Sequence, residues 1–301
     1  MTDAENPEPD AERAPMSPPM SPGDHAESVV RNSGTSFFWA MRRLGPEKRA
    51  AMYAIYAFCR EVDDIADEIG GGPGAEQEKR HKLGQWRAEI QRLYGGQPRT
   101  LTGKALLPAV NAFKLRQEDF GAVIAGMEMD AGDRVRIADM DELTLYCDRV
   151  ASAVGRLSTR VFGLPPELGD KLAYAQGQAL QLTNILRDVD EDAGRDRLYL
   201  PADLLDVHGI EDTGNLAQVM CAPNLHLVCE LLANVAERRF AQARDLIGAC
   251  DRGAVRPAVM MLEVYGRILG KLTRTGWAGP RYRVSLSPVA KLWLLLRYGI
   301  F

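Results

Sequence analysis

Two short acidic clusters carry the residues with the clearest chemical potential. The first reads Arg60-Glu61-Val62-Asp63-Asp64-Ile65-Ala66-Asp67-Glu68. On a helix, Asp63 and Asp67 lie one turn apart and share a face with Tyr56 and Arg60. The second reads Gln181-Leu182-Thr183-Asn184-Ile185-Leu186-Arg187-Asp188-Val189-Asp190-Glu191-Asp192. There Asp188 and Asp192 end a stripe that begins Tyr174, Gly177, Gln181, Asn184. Uncharged polar and small residues in that run suggest an interior polar wall, because a solvated face would carry Lys and Glu. Carboxylates one turn apart suit Mg²⁺, a hard cation that divides its oxygen ligands among carboxylate, water and phosphate. Two such clusters facing each other could hold several ions around one diphosphate and weaken its C–O bond by Lewis-acid stabilisation. Arg60 and Arg187 could then donate to phosphate oxygens. A solvated surface laced by the i,i+4 pairs Arg60–Asp64 and Arg187–Glu191 explains either cluster alone. Two clusters, each with an arginine and a polar inner stripe, favour the metal.

Helices must position these groups. Pro46-Glu47 opens a segment that runs to Ile69 and stops at Gly70-Gly71-Gly72. Proline in the first turn and glycine past the end is the expected asymmetry. Met52, Ile55, Cys59, Val62, Ala66 and Ile69 recur at alternating spacings of three and four, a core stripe lying beside the acidic one. Leu168, Leu172, Ala175, Ala179, Leu182, Leu186 and Val189 do the same for the second cluster. Further helices are expected near 76–94, 102–115, 118–131, 141–162, 166–192, 223–249, 254–275 and 288–298. No period-2 strand or internal repeat is evident. Residues 1–24 are rich in Pro, Ala, Glu, Asp and Ser and are expected as a disordered tail. Residues 25–301 are expected as one all-α domain.

Composition narrows the function. A net charge of −4 over 301 residues argues against a broad nucleic-acid surface. Five cysteines, an odd number without a CxxC pair, suit a reduced cytoplasmic setting. No apolar run approaches the ~18 residues of a membrane span. The C-terminal segment Leu292–Phe301, with Trp293, Tyr298, Lys291 and Arg297, suits either a final packed helix or peripheral contact with a membrane interface.

The residues Ser36-Phe37, Tyr53–Asp67 (YAIYAFCREVDDIAD), Tyr146–Gly155 (YCDRVASAVG), Gln178–Asp192 (QALQLTNILRDVDED) and Arg197–Pro201 (RLYLP) together resemble the squalene/phytoene synthase family. The likeness runs from about Ser33 to Arg283. It implies an all-α terpenoid-synthase helical bundle with a central cavity, using several Mg²⁺ ions, three by expectation, and no nicotinamide. By the same resemblance Asp63, Asp67, Asp188, Asp192 and Asn184 would hold metal. Arg60, Arg187, Arg197 and, more weakly placed, Arg283 would contact diphosphate. Tyr56, Gln181 and Tyr199 would lie near the reacting carbons and Phe37 and Met41 along the prenyl-chain tunnel, with Ser36 and Tyr146 also binding substrate. The implied reaction joins two prenyl diphosphates head to head into a cyclopropylcarbinyl diphosphate, presqualene diphosphate for the fifteen-carbon substrate. One departure is informative. Asp148 and Arg149 stand where many members carry Tyr or His, a form similar to the bacterial branch that stops at presqualene diphosphate for hopanoid synthesis. The alternative is that Arg149 forms a salt bridge and product choice lies elsewhere. Phytoene, dehydrosqualene or squalene synthesis and a non-catalytic helical scaffold are the competing expectations. Hand-over of product to other hopanoid-pathway enzymes would follow.

Overall fold

The computed structural model describes residues 20–33, 37–68, 72, 74–279, 281 and 283–285, with no side-chain description for Trp39, Ala40 and Glu68. Two long helices form its frame. α3 (Pro46–Glu68) buries Met52, Ile55, Val62 and Ala66, the expected stripe, and leaves Cys59 half-buried. α9 (Pro166–Ala193) buries Leu172, Ala175, Ala179, Leu182, Leu186 and Val189 along 28 residues. Fully burying one large aliphatic side chain contributes roughly 1.5–3 kcal/mol, so these stripes alone justify both helices.

The other helices wrap this pair. α1 (Pro22–Asn32) and α5 (Leu101–Phe113) pack on α3, as do α4 (Ala75–Tyr94) and α6 (Gln117–Asp130). The short α2 (Phe37–Arg42) sits between α3 and α13 (Arg256–Thr275). α12 (Leu225–Gly248) and α8 (Ala153–Phe162) flank α9. α7 (Met140–Cys147), α10 (Ala202–Val207) and α11 (Leu216–Cys221) close the remaining sides. Among the described residues the extended structure is one parallel pair, β1 (Val135–Arg136) with β2 (Arg197–Leu198), in the register Val135↔Arg197. The domain is therefore the all-α bundle expected.

Four differences from the sequence expectation have local causes. The first helix starts at Pro22, inside the stretch assigned to the tail, because Ser21 Oγ accepts the Asp24 backbone N–H and Pro22 suits a first turn. The segment expected as one helix over 141–162 is broken by a π-helical turn at Asp148–Ser152. Gly126 of α6 and Gly177 of α9 press on that turn so closely that a Cβ at Gly177 would lie 2.6 Å from the Ser152 backbone N. Helices α10 and α11, six residues each, are too short for periodicity to reveal. The two-residue strands are too short to show alternation. Residues 1–19, Ser36, Ile69 to Gly71 and the expected helix 288–298 lie outside the described residues.

Candidate active site

The last turns of α3 and α9 deliver the two acidic clusters, and β2 lies between them. Arg197, at the start of β2, donates through Nη1 to Asp67 Oδ1 at 2.7 Å and through Nη2 to the Ala66 carbonyl at 3.2 Å. Arg195 also reaches both clusters, with Nη1 3.7 Å from Asp67 Oδ2 and Nη2 3.5 Å from Glu191 Oε1. One arginine thus touches the ends of α3 and α9 together, so the two clusters are neighbours at one site.

Close to both clusters lies a buried carboxylate that sequence reasoning missed. Asp130, the last residue of α6, is buried and accepts Tyr146 Oη at 2.9 Å on Oδ2 and Tyr199 Oη at 2.7 Å on Oδ1. The two tyrosine rings stack, 4.9 Å between centroids and 24° between planes. Burial, followed by the negative charge of Asp130, pushes both phenols well above their ordinary range. Phe120, Val123, Met127 and Asp130 follow spacings of three, four and three. An acid ending a core stripe was the signal available in the sequence.

Electrostatics report how crowded the negative charge is. Burial and the neighbouring Asp67 raise Asp63 to about 6. Burial and the neighbouring Asp188 raise Asp192 to about 7, with Arg197 pulling it down. Burial raises Asp130 to about 6 against the opposing bonds from Tyr199 and Tyr146. Clustered carboxylates held this way attract cations, and here arginines answer. Arg187 binds Asp188 through Nε at 2.9 Å and Nη2 at 2.5 Å. Arg283 reaches Asp188 at 3.2 Å and Glu191 at 3.1 Å. Arg60 lies 3.4 Å from Asp63 and 2.5 Å from Asp64.

Among the described residues no three Asp, Glu, His or Cys side chains form a ready-made metal cage. The donor set nonetheless fits a hard divalent ion: all carboxylate and amide oxygens, with Asn184 Oδ1 buried and lacking any hydrogen-bond partner. Asn184 Nδ2 lies 3.4 Å from Gln181 Oε1, so the stripe of α9 holds the amide in place.

The other expected positions fall as follows. Tyr56 and Phe37 are half-buried and Met41, on α2, is fully buried; Ser36 lies outside the described residues. The surface pair expected between Arg187 and Glu191 is replaced by Arg187–Asp188, while Glu191 faces Arg195 and Arg283. Asp190 points elsewhere, gripped by Arg281 through two bonds of 2.8 and 2.7 Å. Asp148 belongs to an ion network. It binds Arg156 at 2.7 Å, which binds Asp119 at 2.6 Å, a network that also includes Arg116 and Asp170. Arg149 donates to Met129 Sδ at 3.3 Å across the π turn.

Comparison with known proteins bears on family and fold. The sequence model of the squalene/phytoene synthase family matches residues 30–290. A presqualene diphosphate synthase of Zymomonas mobilis is 45% identical over 279 residues, 92% of this chain and 93% of that protein. Phytoene synthase 3 of Zea mays is 39% identical over 89% of this chain and 63% of its own. A ligand-bound dehydrosqualene synthase crystal structure superposes with a TM-score of 0.79 at 25% identity, covering 92% of this chain and 95% of its own. The squalene synthase HpnC of Alicyclobacillus acidocaldarius shares the fold, with a TM-score of 0.74 at 24% identity over 84% of this chain and 94% of its own.

Proposed function

The chain belongs to the squalene/phytoene synthase family, and from that premise we propose that it condenses two farnesyl diphosphates head to head into presqualene diphosphate. The observation that carries the reading is the juxtaposition of the two acidic helix ends, bridged by Arg195, with Arg197 on Asp67 and the buried Asp130 held by Tyr146 and Tyr199 close by. Presqualene diphosphate synthases of three bacteria at 43–45% identity favour this product over phytoene.

In this reading Arg187, Arg197, Arg283 and Arg60 bind and orient diphosphate oxygens. Asp63, Asp67, Asn184, Asp188 and Asp192 would hold Mg²⁺, which supplies Lewis-acid stabilisation of the departing diphosphate. The C1–O bond of one substrate breaks, and its electron pair leaves with the diphosphate. The allylic carbon is then attacked by the double bond of the second substrate, and loss of a proton closes the cyclopropane. The second diphosphate stays attached. Stacked Tyr146 and Tyr199 present ring faces to developing positive charge, and Asp130 fixes both hydroxyls so that the rings keep their angle. Tyr56 and Gln181 border the reacting carbons, while Phe37 and Met41 shape the apolar tunnel. No reduced nicotinamide is required, because the reaction stops before reduction.

Product analysis tests this directly. The purified protein is incubated with Mg²⁺ and farnesyl or geranylgeranyl diphosphate, with and without a reduced nicotinamide. Presqualene diphosphate and released diphosphate are expected from the fifteen-carbon substrate. A C40 hydrocarbon, dehydrosqualene or squalene as the accumulating product would overturn the assignment. A folded protein releasing no diphosphate would favour the non-catalytic scaffold.

Cytoplasmic residence, peripheral membrane contact through Leu292–Phe301 and hand-over to hopanoid-pathway enzymes belong to the same proposal. No helix among the described residues is long and apolar enough to cross a membrane. Removing residues 289–301 should lower co-sedimentation with liposomes, and unchanged partitioning of the folded truncation would end the membrane part.

A further inference from the structure

The turn from α9 into β2 contains a residue in an uncommon conformation. Asp196 has φ +55, in the left-handed region that a non-glycine residue enters at a cost. Its surroundings compel it. The Asp196 carboxylate lies 2.5 Å from Arg136 Nη2 and 3.4 Å from Arg134 Nε. Its carbonyl accepts from Val135 N at 3.1 Å and from Arg136 Nη1 at 2.7 Å. Arg136 is anchored in turn to the Thr213 carbonyl at 2.8 Å. The clamp turns Asp196 toward β1 and directs both of its neighbours, Arg195 and Arg197, to Asp67 on the opposite side.

These two arginines are held very differently. Arg197 is 13% exposed and also grips the Ala66 carbonyl, whereas Arg195 is 52% exposed and makes its ion pairs at 3.5 and 3.7 Å. Exposed, loosely seated ion pairs stabilise little, so Arg195 has scant value as a brace. A guanidinium resting on Asp67 and Glu191 competes with any cation seeking the same carboxylates. Of the pair, Arg195 is the one released at least cost. Once released, it stands beside both acidic clusters, on a turn fixed by the Asp196–Arg136 clamp.

We propose that Arg195 is a further diphosphate-handling residue of this site, resting on Asp67 and Glu191 until the anion arrives, and that Asp196 and Arg136 are its positioning residues. The inference rests on the diphosphate reading of the two acidic clusters.

Three variants test it: Arg195→Met, Arg195→Lys and Asp196→Asn. The last preserves the left-handed preference while removing the charge from the clamp. Binding of inorganic diphosphate in the presence of Mg²⁺ is measured by calorimetry, KM and kcat with farnesyl diphosphate, and melting temperature in chelator. Arg195→Met should weaken diphosphate binding and raise KM about 10-fold, the scale of one charge-assisted hydrogen bond, with the melting temperature unmoved. Arg195→Lys should recover part of the loss, keeping the charge without the planar fork. Asp196→Asn should raise KM more than it lowers kcat. If Arg195→Met fails to fold, Arg195→Gln carries the same expectations. Parental diphosphate affinity and KM in a folded Met or Gln variant, while Asp63→Asn abolishes binding, overturn this inference alone. A parent protein that takes up no diphosphate overturns the reading beneath it as well.

Discussion

The two acidic clusters share a DxxxD spelling but occupy different surroundings. Asp63 and Asp67 end a helix at an open rim, with side-chain exposures of 46% and 37%. Asp188, 15% exposed, sits on a helix buried along most of its length and already carries two arginine partners. The α9 backbone is also pinned from behind, where Trp277 Nε1 donates to the Leu186 carbonyl at 3.0 Å and Arg281 grips Asp190. The contrast teaches that equal spacing does not mean equal duty. The α9 cluster is pinned from behind and its Asp188 is the less exposed, while the α3 cluster is the more exposed side; arginines answer both.

Turnover should show the least contrast and the largest effect. Asp63→Asn and Asp188→Asn should each lower kcat by about 10²-fold or more, the scale seen when transition-state charge stabilisation is lost. Steady-state diphosphate release measures it, and full activity in both variants would refute the metal assignment.

Stability should separate them. Asp188→Asn leaves the mostly buried Arg187 without its carboxylate, costing about 1–3 kcal/mol in chelator. Asp63→Asn removes a group already pushed up by burial and Asp67, so the metal-free melting temperature should hold or rise. Denaturation of both variants in chelator checks the sign, and equal losses would erase the distinction between the clusters.

pH acts on the same asymmetry. The folded protein holds Asp63 and Asp130 at about 6 and Asp192 at about 7, above their unfolded values. In the window between about 4 and 7 the folded state therefore binds more protons than the unfolded chain. These groups contribute stability that is complete below the unfolded values and lost as pH rises through the folded ones. The metal-free melting temperature attributable to them should fall from pH 5 to pH 7.5, and Asp192→Asn should flatten that slope. Mg²⁺ binding should run the other way, strengthening with pH because ligation displaces those protons.

The smallest effects belong behind α9. Trp277→Phe should cost about 0.5–1.5 kcal/mol, one neutral hydrogen bond. Asp190→Asn should alter stability while leaving turnover within about 2-fold, since its carboxylate serves Arg281; a large kcat loss would move Asp190 into the site.

Much of this was legible because its causes are local. Alternating spacings of three and four revealed α3 and α9, and the polar run Gln181, Asn184, Asp188, Asp192 lies half-buried along α9. Asp130 escaped because its partners, Tyr146 and Tyr199, are 16 and 69 residues away and no local pattern pairs them. Arg195 escaped because its role depends on a backbone angle at Asp196 that only the Arg136 clamp explains. Asp148 was weighed for product choice, yet its side chain serves an ion network whose other members come from α6, α8 and α9.

The widened π turn at Asp148–Ser152 governs direction. Each residue of an α-helix advances the next by about 100°, so an i→i+5 turn adds one increment of azimuth between α7 and α8. Upstream, Tyr146 must aim at Asp130; downstream, Ser158 and Leu157 must face the core. Both aims are met with that extra increment in place. Deleting a single residue there would swing one half of the rod away from its target, while substitutions that spare Gly126 and Gly177 would leave the bearing intact. Chain count at this point, rather than side-chain identity, decides where the stacked rings look.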